Sequence, residues 1–338
     1  MHGMNVPSTH EHRRLAICGG QPRFAAPRHV GTPTIPDRER LHARLDEMLD
    51  ARRLTNDGPF LKEFEARLSR LNGDVEVVAV CSATVGMQLL LKALDLRGEA
   101  ILPSFTFAIG CTHEGVPMGR LGTASIASFH GTKFVQSLEG GAIFTADRDL
   151  ADRLRLLRNF GFQGFDNVVA LGTNAKMNEM CAAVGLGSLE ALDTLIATNR
   201  DNRAAYRRAL DGLPGLALYE YDEREANNFQ YLIVEVDPQA CPFTRDELVA
   251  ILQAENVIAR RYFTPGCHRS MPYRARPRRG TDRLAATERL CETLVALPTG
   301  AGVSHADIEE IGGILHTAFD TATAVRPWLT QTPARKVA

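Results

Sequence analysis

The feature that most narrows the fold is a strand, turn and helix in immediate succession near position 80. Val75 to Cys81 is dominated by valine, which suits a strand buried on both faces. Ser82-Ala83-Thr84 follows as a turn of small side chains. Thr84 to Leu94 then carries a helical pattern that stops at Asp95 to Gly98. A strand feeding a helix through such a turn belongs to α/β layering. It also offers successive backbone N–H groups at a helix N-terminus, where a phosphate binds well. The same residues serve equally as a plain helix cap, and this stretch alone leaves both readings open.

A second tract carries the chemistry. Thr123 to Ala127 reads as a strand ending at Ser128. Phe129-His130-Gly131-Thr132-Lys133 turns away from it, and Glu139-Gly140-Gly141-Ala142 follows. A lysine held at the end of a sheet is partly desolvated. Desolvation favours the neutral amine, the form that attacks an aldehyde. That is how a lysine holds pyridoxal phosphate as a Schiff base. The bland alternative is a solvated surface lysine, and for Ser128 a turn residue at a strand end.

Apolar spacing predicts further helices over Asp37 to Arg53, Phe60 to Leu71, Arg148 to Phe160, Lys176 to Arg208, Thr244 to Asn256 and His305 to Phe319. Short apolar runs predict strands at Ala100 to Leu102, Gly141 to Thr145, Leu216 to Tyr221 and Gln230 to Val236. The expected organisation is an irregular arm over 1–36, a large domain over 37–200, a small domain over 201–320 and a poorly ordered tail over 321–338. A chain of 338 residues has ample core for this.

Basic and acidic residues number 39 and 40, so bulk charge points to neither nucleic acid nor a membrane surface. No apolar window approaches membrane-span length. The seven cysteines are scattered without a C-x-x-C pair, which indicates neither a disulfide framework nor a metal site. Met1 to Arg14 lacks an apolar signal core. The expectation is a cytoplasmic protein.

Several tracts occur in one characteristic order. They are Leu54-Thr55-Asn56-Asp57-Gly58-Pro59, Cys81-Ser82-Ala83-Thr84-Val85-Gly86, Pro103-Ser104-Phe105-Thr106-Phe107 and the lysine tract. Arg158-Asn159-Phe160-Gly161, Gly172-Thr173-Asn174-Ala175-Lys176-Met177 and Arg260-Arg261-Tyr262-Phe263 complete the series. In this the chain resembles the DegT/DnrJ/EryC1/StrS sugar aminotransferases. It is most similar to those acting on dTDP-linked 3-keto-6-deoxy sugars. The likeness covers about Ala16 to about His316.

The resemblance implies a fold-type I pyridoxal-phosphate enzyme, with a large, mostly parallel-sheet domain and a small α+β C-terminal domain. It implies Lys133 as the Schiff-base lysine and proton shuttle. Ser82, Ala83, Thr84 and Ser128 become phosphate ligands, and Phe107 the aromatic stacked on the ring. Asn174 becomes a residue that crosses a homodimer interface to the partner's cofactor. Tyr262 and His268 fall in the substrate-facing loop. The arginines Arg274, Arg276, Arg278, Arg279 and Arg283 either meet a nucleotide diphosphate or form a solvated loop. The implied reaction takes an amino group from a glutamate-type donor to a nucleotide-linked keto-sugar, for polysaccharide or antibiotic biosynthesis.

One departure stands out. In the family a long segment separates the phenylalanine tract from the lysine tract. It supplies central strands and the aspartate that pairs with the pyridine nitrogen. Here Ser104 to Ile109 runs straight into Gly110-Cys111-Thr112-His113-Glu114-Gly115, as after an internal deletion. No position inherits the aspartate's role. A carboxylate beside that nitrogen favours its protonated form and deepens the electron sink. The alternative reading is therefore a relative that keeps dimerisation or cofactor binding and has lost turnover. A third, a sugar dehydratase, is opposed by Lys133, because the family's dehydratases replace that lysine.

Overall fold

A computed structural model describes residues 14–35, 37–97, 109–275 and 284–330. The chain divides into two compact units, one of 31–200 with 221–230 and one of 1–30, 201–220 and 231–338. The first strand, β1 (Arg28–His29), belongs to the second of these.

The unit that carries Lys133 is built on three strands: β2 (Glu76–Val80), β5 (Ser125–Ser128) and β6 (Gly141–Thr145). A hairpin of β3 (Thr112–His113) and β4 (Val116–Pro117) lies between β2 and β5 in sequence. The sheet order is β2-β6-β5, with Val78 opposite Ile143 and Ile143 opposite Ile126. Side chains alternate between faces along each strand. Val77, Ala79, Ala142 and Phe144 join one core, which includes Phe64 and Leu68 of α2 (Pro59–Leu71) and Ala182 and Leu186 of α5 (Glu179–Glu190). Leu41, Leu45 and Met48 of α1 (Arg38–Asp50) complete that side. Val78, Val80 and Ile143 face the other way, onto Leu89 of α3 (Ala83–Ala93) and Leu150 and Leu154 of α4 (Arg148–Arg158). The result is a helix, sheet, helix sandwich.

The expectation of a mostly parallel sheet is corrected here. Both ladders are antiparallel among the described residues. The reason is which strands are present. β2 and β5 run in the same direction, but β6 lies between them and runs in the opposite one. The expected Ala100 to Leu102 strand lies outside the described residues.

Two buried charged side chains, Glu179 and Arg158, explain two of the tracts noted above. The Glu179 carboxylate is fully buried and accepts from Phe60 N (2.9 Å) and Leu61 N (3.1 Å) at the start of α2. Negative charge is favourable there, and a Cβ on Gly58 would lie 2.4 Å from Glu179 Cδ. Arg158, also buried, bonds Glu65 (2.7 Å), Asp57 (2.8 Å) and the carbonyl of Ala79 (2.7 Å).

The second unit is α+β. An antiparallel sheet runs β10 (Arg260–Arg261), β11 (Leu294–Leu297), β8 (Leu232–Val236), β7 (Leu216–Leu218), and β9 (Val257–Ile258) pairs in parallel with β1. Its helices are the C-terminal part of α6 (Leu192–Ala209), then α7 (Arg245–Ala254), α8 (Met271–Arg274), α9 (Ala285–Thr293), α10 (His305–Asp320) and α11 (Ala322–Leu329). α7 and α10 open with reciprocal caps, Thr244 with Glu247 and Ser304 with Asp307.

Two sequence expectations change in this unit. Leu15, Ile17, Cys18 and Phe24, in the stretch read as an irregular arm, are buried in its core. The buried Glu255 carboxylate holds that stretch by accepting from Ala16 N (2.6 Å) and Arg23 N (2.7 Å). Residues 322–329, read as a fraying tail, form α11, which buries Val325. Among the described residues no single helix is long and apolar enough to cross a membrane.

Candidate active site

Lys133 owes its position to Phe129. That ring is fully buried and meets Phe64 edge-on at 5.3 Å. Phe129 N donates to Gly140 O (2.9 Å), and Phe129 O accepts from Ser137 N (2.8 Å). The turn from Ser128 to Lys133 is thereby pinned at its Phe129 end. Inside it Lys133 N donates to His130 O (2.8 Å), and His130 Nδ1 lies 3.0 Å from Thr132 Oγ1. The Lys133 side chain is half-buried, and desolvation lowers its pKa to about 8. An ordinary solvated lysine is almost wholly protonated at neutral pH; this one has a usable neutral fraction.

The helix α3 begins beside it. Ser82 is extended and caps the helix, its hydroxyl accepting from Val85 N at 3.3 Å. The N–H groups of the first turn have no helical acceptor. A Cβ on Gly141 would lie 2.6 Å from Ala83 N, so glycine at the start of β6 is what lets α3 begin so close to the lysine tract.

A cavity of about 200 Å³ opens between these elements, lined by Ala83, Ser128, Lys133, Asn228 and Gln230 with apolar side chains around them. The structure thus brings Lys133, Ser128 and Ala83 together. Ser82 stands one residue away as the cap, and Thr84 is exposed and outside the lining. Asn174 is also exposed and outside it, in an isolated bridge with Asn159. Tyr262 and His268 belong to the other unit, where Tyr262 packs against Tyr231 at 5.4 Å. Phe107 lies outside the described residues, as do Arg276, Arg278, Arg279 and Arg283.

Sequence reasoning missed Asn228 and Gln230. They sit on the short segment 221–230 that returns to this unit before β8. Asn228 Nδ2 donates to Ile109 O (2.7 Å), and its Oδ1 accepts from Gln230 N (3.0 Å). The same segment grips the β3–β4 hairpin. Glu225 accepts from Thr112 Oγ1 and Glu114 N, both at 2.5 Å. Only a polar pair just ahead of an apolar strand marks this stretch in sequence, which is a weak signal.

The amine, the hydroxyl and the helix N-terminus fit the aldehyde and phosphate ends of pyridoxal phosphate. The third feature, an acid for the ring nitrogen, is not found among the described residues of the lining. Lys133 is the sole titratable side chain among the described residues of the lining. Nor do the described residues contain a His, Cys, Asp and Glu cluster able to hold a metal ion.

The family model for DegT/DnrJ/EryC1/StrS aminotransferases matches residues 36–108 and 108–316, two pieces that meet within two residues of the junction inferred above. The chain belongs to this family. Membership classes it with the fold-type I, pyridoxal-phosphate-dependent sugar aminotransferases. The structure of DesI in the presence of its TDP-sugar product is similar, with a TM-score of 0.86 and 37% identity over 93% of this chain and 98% of that one. A dTDP-4-amino-4,6-dideoxy-D-glucose transaminase of Shigella dysenteriae is 34% identical over 158 residues, 47% of this chain and 43% of that relative. The match therefore spans less than half of the Shigella protein's length.

The Escherichia coli transaminase of the same name is 22% identical over 344 positions, taking in 80% of this chain and 92% of its own. That alignment is longer than the 338 residues of this chain. The relative thus carries residues, within the matched region, that the DegT-family chain described here lacks.

Proposed function

We propose that this chain binds pyridoxal phosphate at Lys133 and transfers an amino group from a glutamate-type donor to a keto group of a nucleotide-linked deoxysugar. The observation that carries the reading is a half-buried amine of lowered pKa sharing one cavity with Ser128 and the start of α3. Lys133 would hold the aldehyde end of the cofactor through its amine, the aldehyde oxygen leaving as water, and with its amine free would carry the proton at the reacting carbon. Ser128 and the N–H groups at Ala83 and Thr84 hold the phosphate, with Ser82 fixing their turn. When bound, the cofactor supplies an electron sink for the carbon that loses its proton. The family resemblance alone would give Phe107 the stacking role and Tyr262 and His268 the substrate-facing loop. The transaminases named above support a keto group at position 4 of a dTDP-linked sugar, in place of the position 3 expected from sequence. Such substrates fit a cytoplasmic setting.

The working form is a homodimer in which Asn174 reaches the partner's cofactor phosphate. Support comes from an apolar surface run on this unit: Phe165 is 99% and Leu171 81% exposed, with Val168 and Val169 between them. Patches of this kind mark protein interfaces. A monomer by sedimentation at micromolar concentration, with cofactor bound, would sink this part.

The test of the main reading is direct. Pyridoxal phosphate added to the full chain should give a visible absorbance band that Lys133→Ala abolishes. Glutamate should then bleach the band. A second reading, binding without turnover, is favoured by the lack of an acid among the described lining residues. It predicts that the band forms and no amine donor bleaches it.

A further inference from the structure

The polar inventory of the cavity can be matched against the polar points of its ligand. Pyridoxal phosphate has four: the aldehyde, the phosphate, the ring nitrogen and the phenolic oxygen. The described lining offers the Lys133 amine, the Ser128 hydroxyl and the carboxamides of Asn228 and Gln230. Lys133 and Ser128, with the start of α3, are taken by the first two points in the reading above.

The two carboxamides differ in what they have left to give. Asn228 is buried and occupied, its Nδ2 on Ile109 O (2.7 Å) and its Oδ1 on Gln230 N (3.0 Å). Gln230 is bonded through its backbone, and its half-buried side chain brings a full set of donors and an acceptor to the cavity. Asn228 thus fixes the backbone of the residue next to it, and that residue's amide is what remains for the ligand.

We propose that Gln230 hydrogen-bonds the ring of the cofactor held at Lys133, through the ring nitrogen or the phenolic oxygen, and that Asn228 is its positioning residue. The inference rests on the reading of Lys133 above and adds the ring's polar partner. A carboxamide is neutral. As a donor it favours an unprotonated ring nitrogen, where an acid would favour the protonated one. Asn228 also ties Gln230 to Ile109, the residue just before Gly110 at the junction, so the ring partner is mounted where the chain is shortened.

The experiment is a titration of the full chain with pyridoxal phosphate, reading affinity from the Lys133-dependent visible band and following that band against pH. Gln230→Leu should weaken cofactor binding about tenfold, the worth of one ligand hydrogen bond. Gln230→Glu should raise the pH at which the band titrates by about one unit, because a nearby negative charge favours the protonated chromophore. Asn228→Ala should weaken binding, and the Asn228→Ala/Gln230→Leu double variant should be no worse than Gln230→Leu alone. A merely structural Asn228 would give additive losses, which overturns its positioning role. If Gln230→Leu binds and Gln230→Glu titrates as the parent chain does, the ring contact is overturned while the Lys133 reading stands. If the parent chain forms no Lys133-dependent band, both fall together.

Discussion

The two outer strands of the β2-β6-β5 sheet are secured to different degrees. β2 is closed on its far side. Cys81 N donates to Ala175 O (2.9 Å), Val80 bridges Lys176, and Glu65 accepts from Ala79 N (2.8 Å). Arg158 donates to the Ala79 carbonyl (2.7 Å). Among the described residues β5 pairs with β6 alone, and each of its four residues is only half-buried. The lysine tract hangs from β5. Among the described residues, then, the β2 edge is closed and the β5 edge, which carries the chemistry, is the less covered of the two. An unprotected edge is also the side from which a sheet misassociates.

The largest effect expected from this contrast is at the closed edge. Arg158→Ala removes one cation from a site with Glu65 and Asp57 and strips the Ala79 carbonyl of its donor. Leaving a largely buried carboxylate unpaired should cost about 3–4 kcal/mol in urea unfolding. A cost below about 1 kcal/mol would mean that the β2 edge is no better held than β5.

That arginine also shows what a sequence displays and what it hides. Helices with an apolar stripe and a stop signal were visible: Pro59–Leu71 and Arg148–Arg158 follow the predicted spacing closely. So was the placement of Lys133 in a turn after a strand, because strand end, turn and glycine pair lie within one short tract. Arg158 and Glu179 were visible only as members of family tracts, since their partners lie about a hundred residues away. Asn228 and Gln230 were invisible for the same reason. They reach the cavity only because residues 221–230 fold back onto the first unit, and nothing local encodes that return. Strand direction failed on another ground. Periodicity gives the faces of a strand but not its partner, and a sheet that loses members keeps its remaining pairings.

An intermediate effect concerns pH at the thin edge. Burial holds the Lys133 amine at a pKa of about 8. Below that pH the neutral, nucleophilic fraction falls about tenfold per unit. The rate of covalent capture of pyridoxal phosphate should therefore climb tenfold per pH unit up to about 8 and then level. A solvated lysine would keep gaining to about 10.4. Stopped-flow absorbance decides between the two, and a rise that continues past pH 9 would mean that the β5 end leaves its lysine in water.

The smallest effect is the sharpest probe of the contrast. Ile126 of β5 lies directly opposite the fully buried Ile143 of β6. Truncating a fully buried isoleucine costs about 2–5 kcal/mol. Ile126 is half-buried, so Ile126→Ala should cost only about 1 kcal/mol, and the amides of Ser125 to Ser128 should exchange with solvent sooner than those of β2. A cost near that of a core residue would mean that something covers the edge. Two candidates can then be told apart. Cover by a second copy makes the cost depend on protein concentration, whereas cover by residues 98–108 of the same chain does not. In the second case a glycine placed within 98–108 should return the Ile126→Ala cost to about 1 kcal/mol.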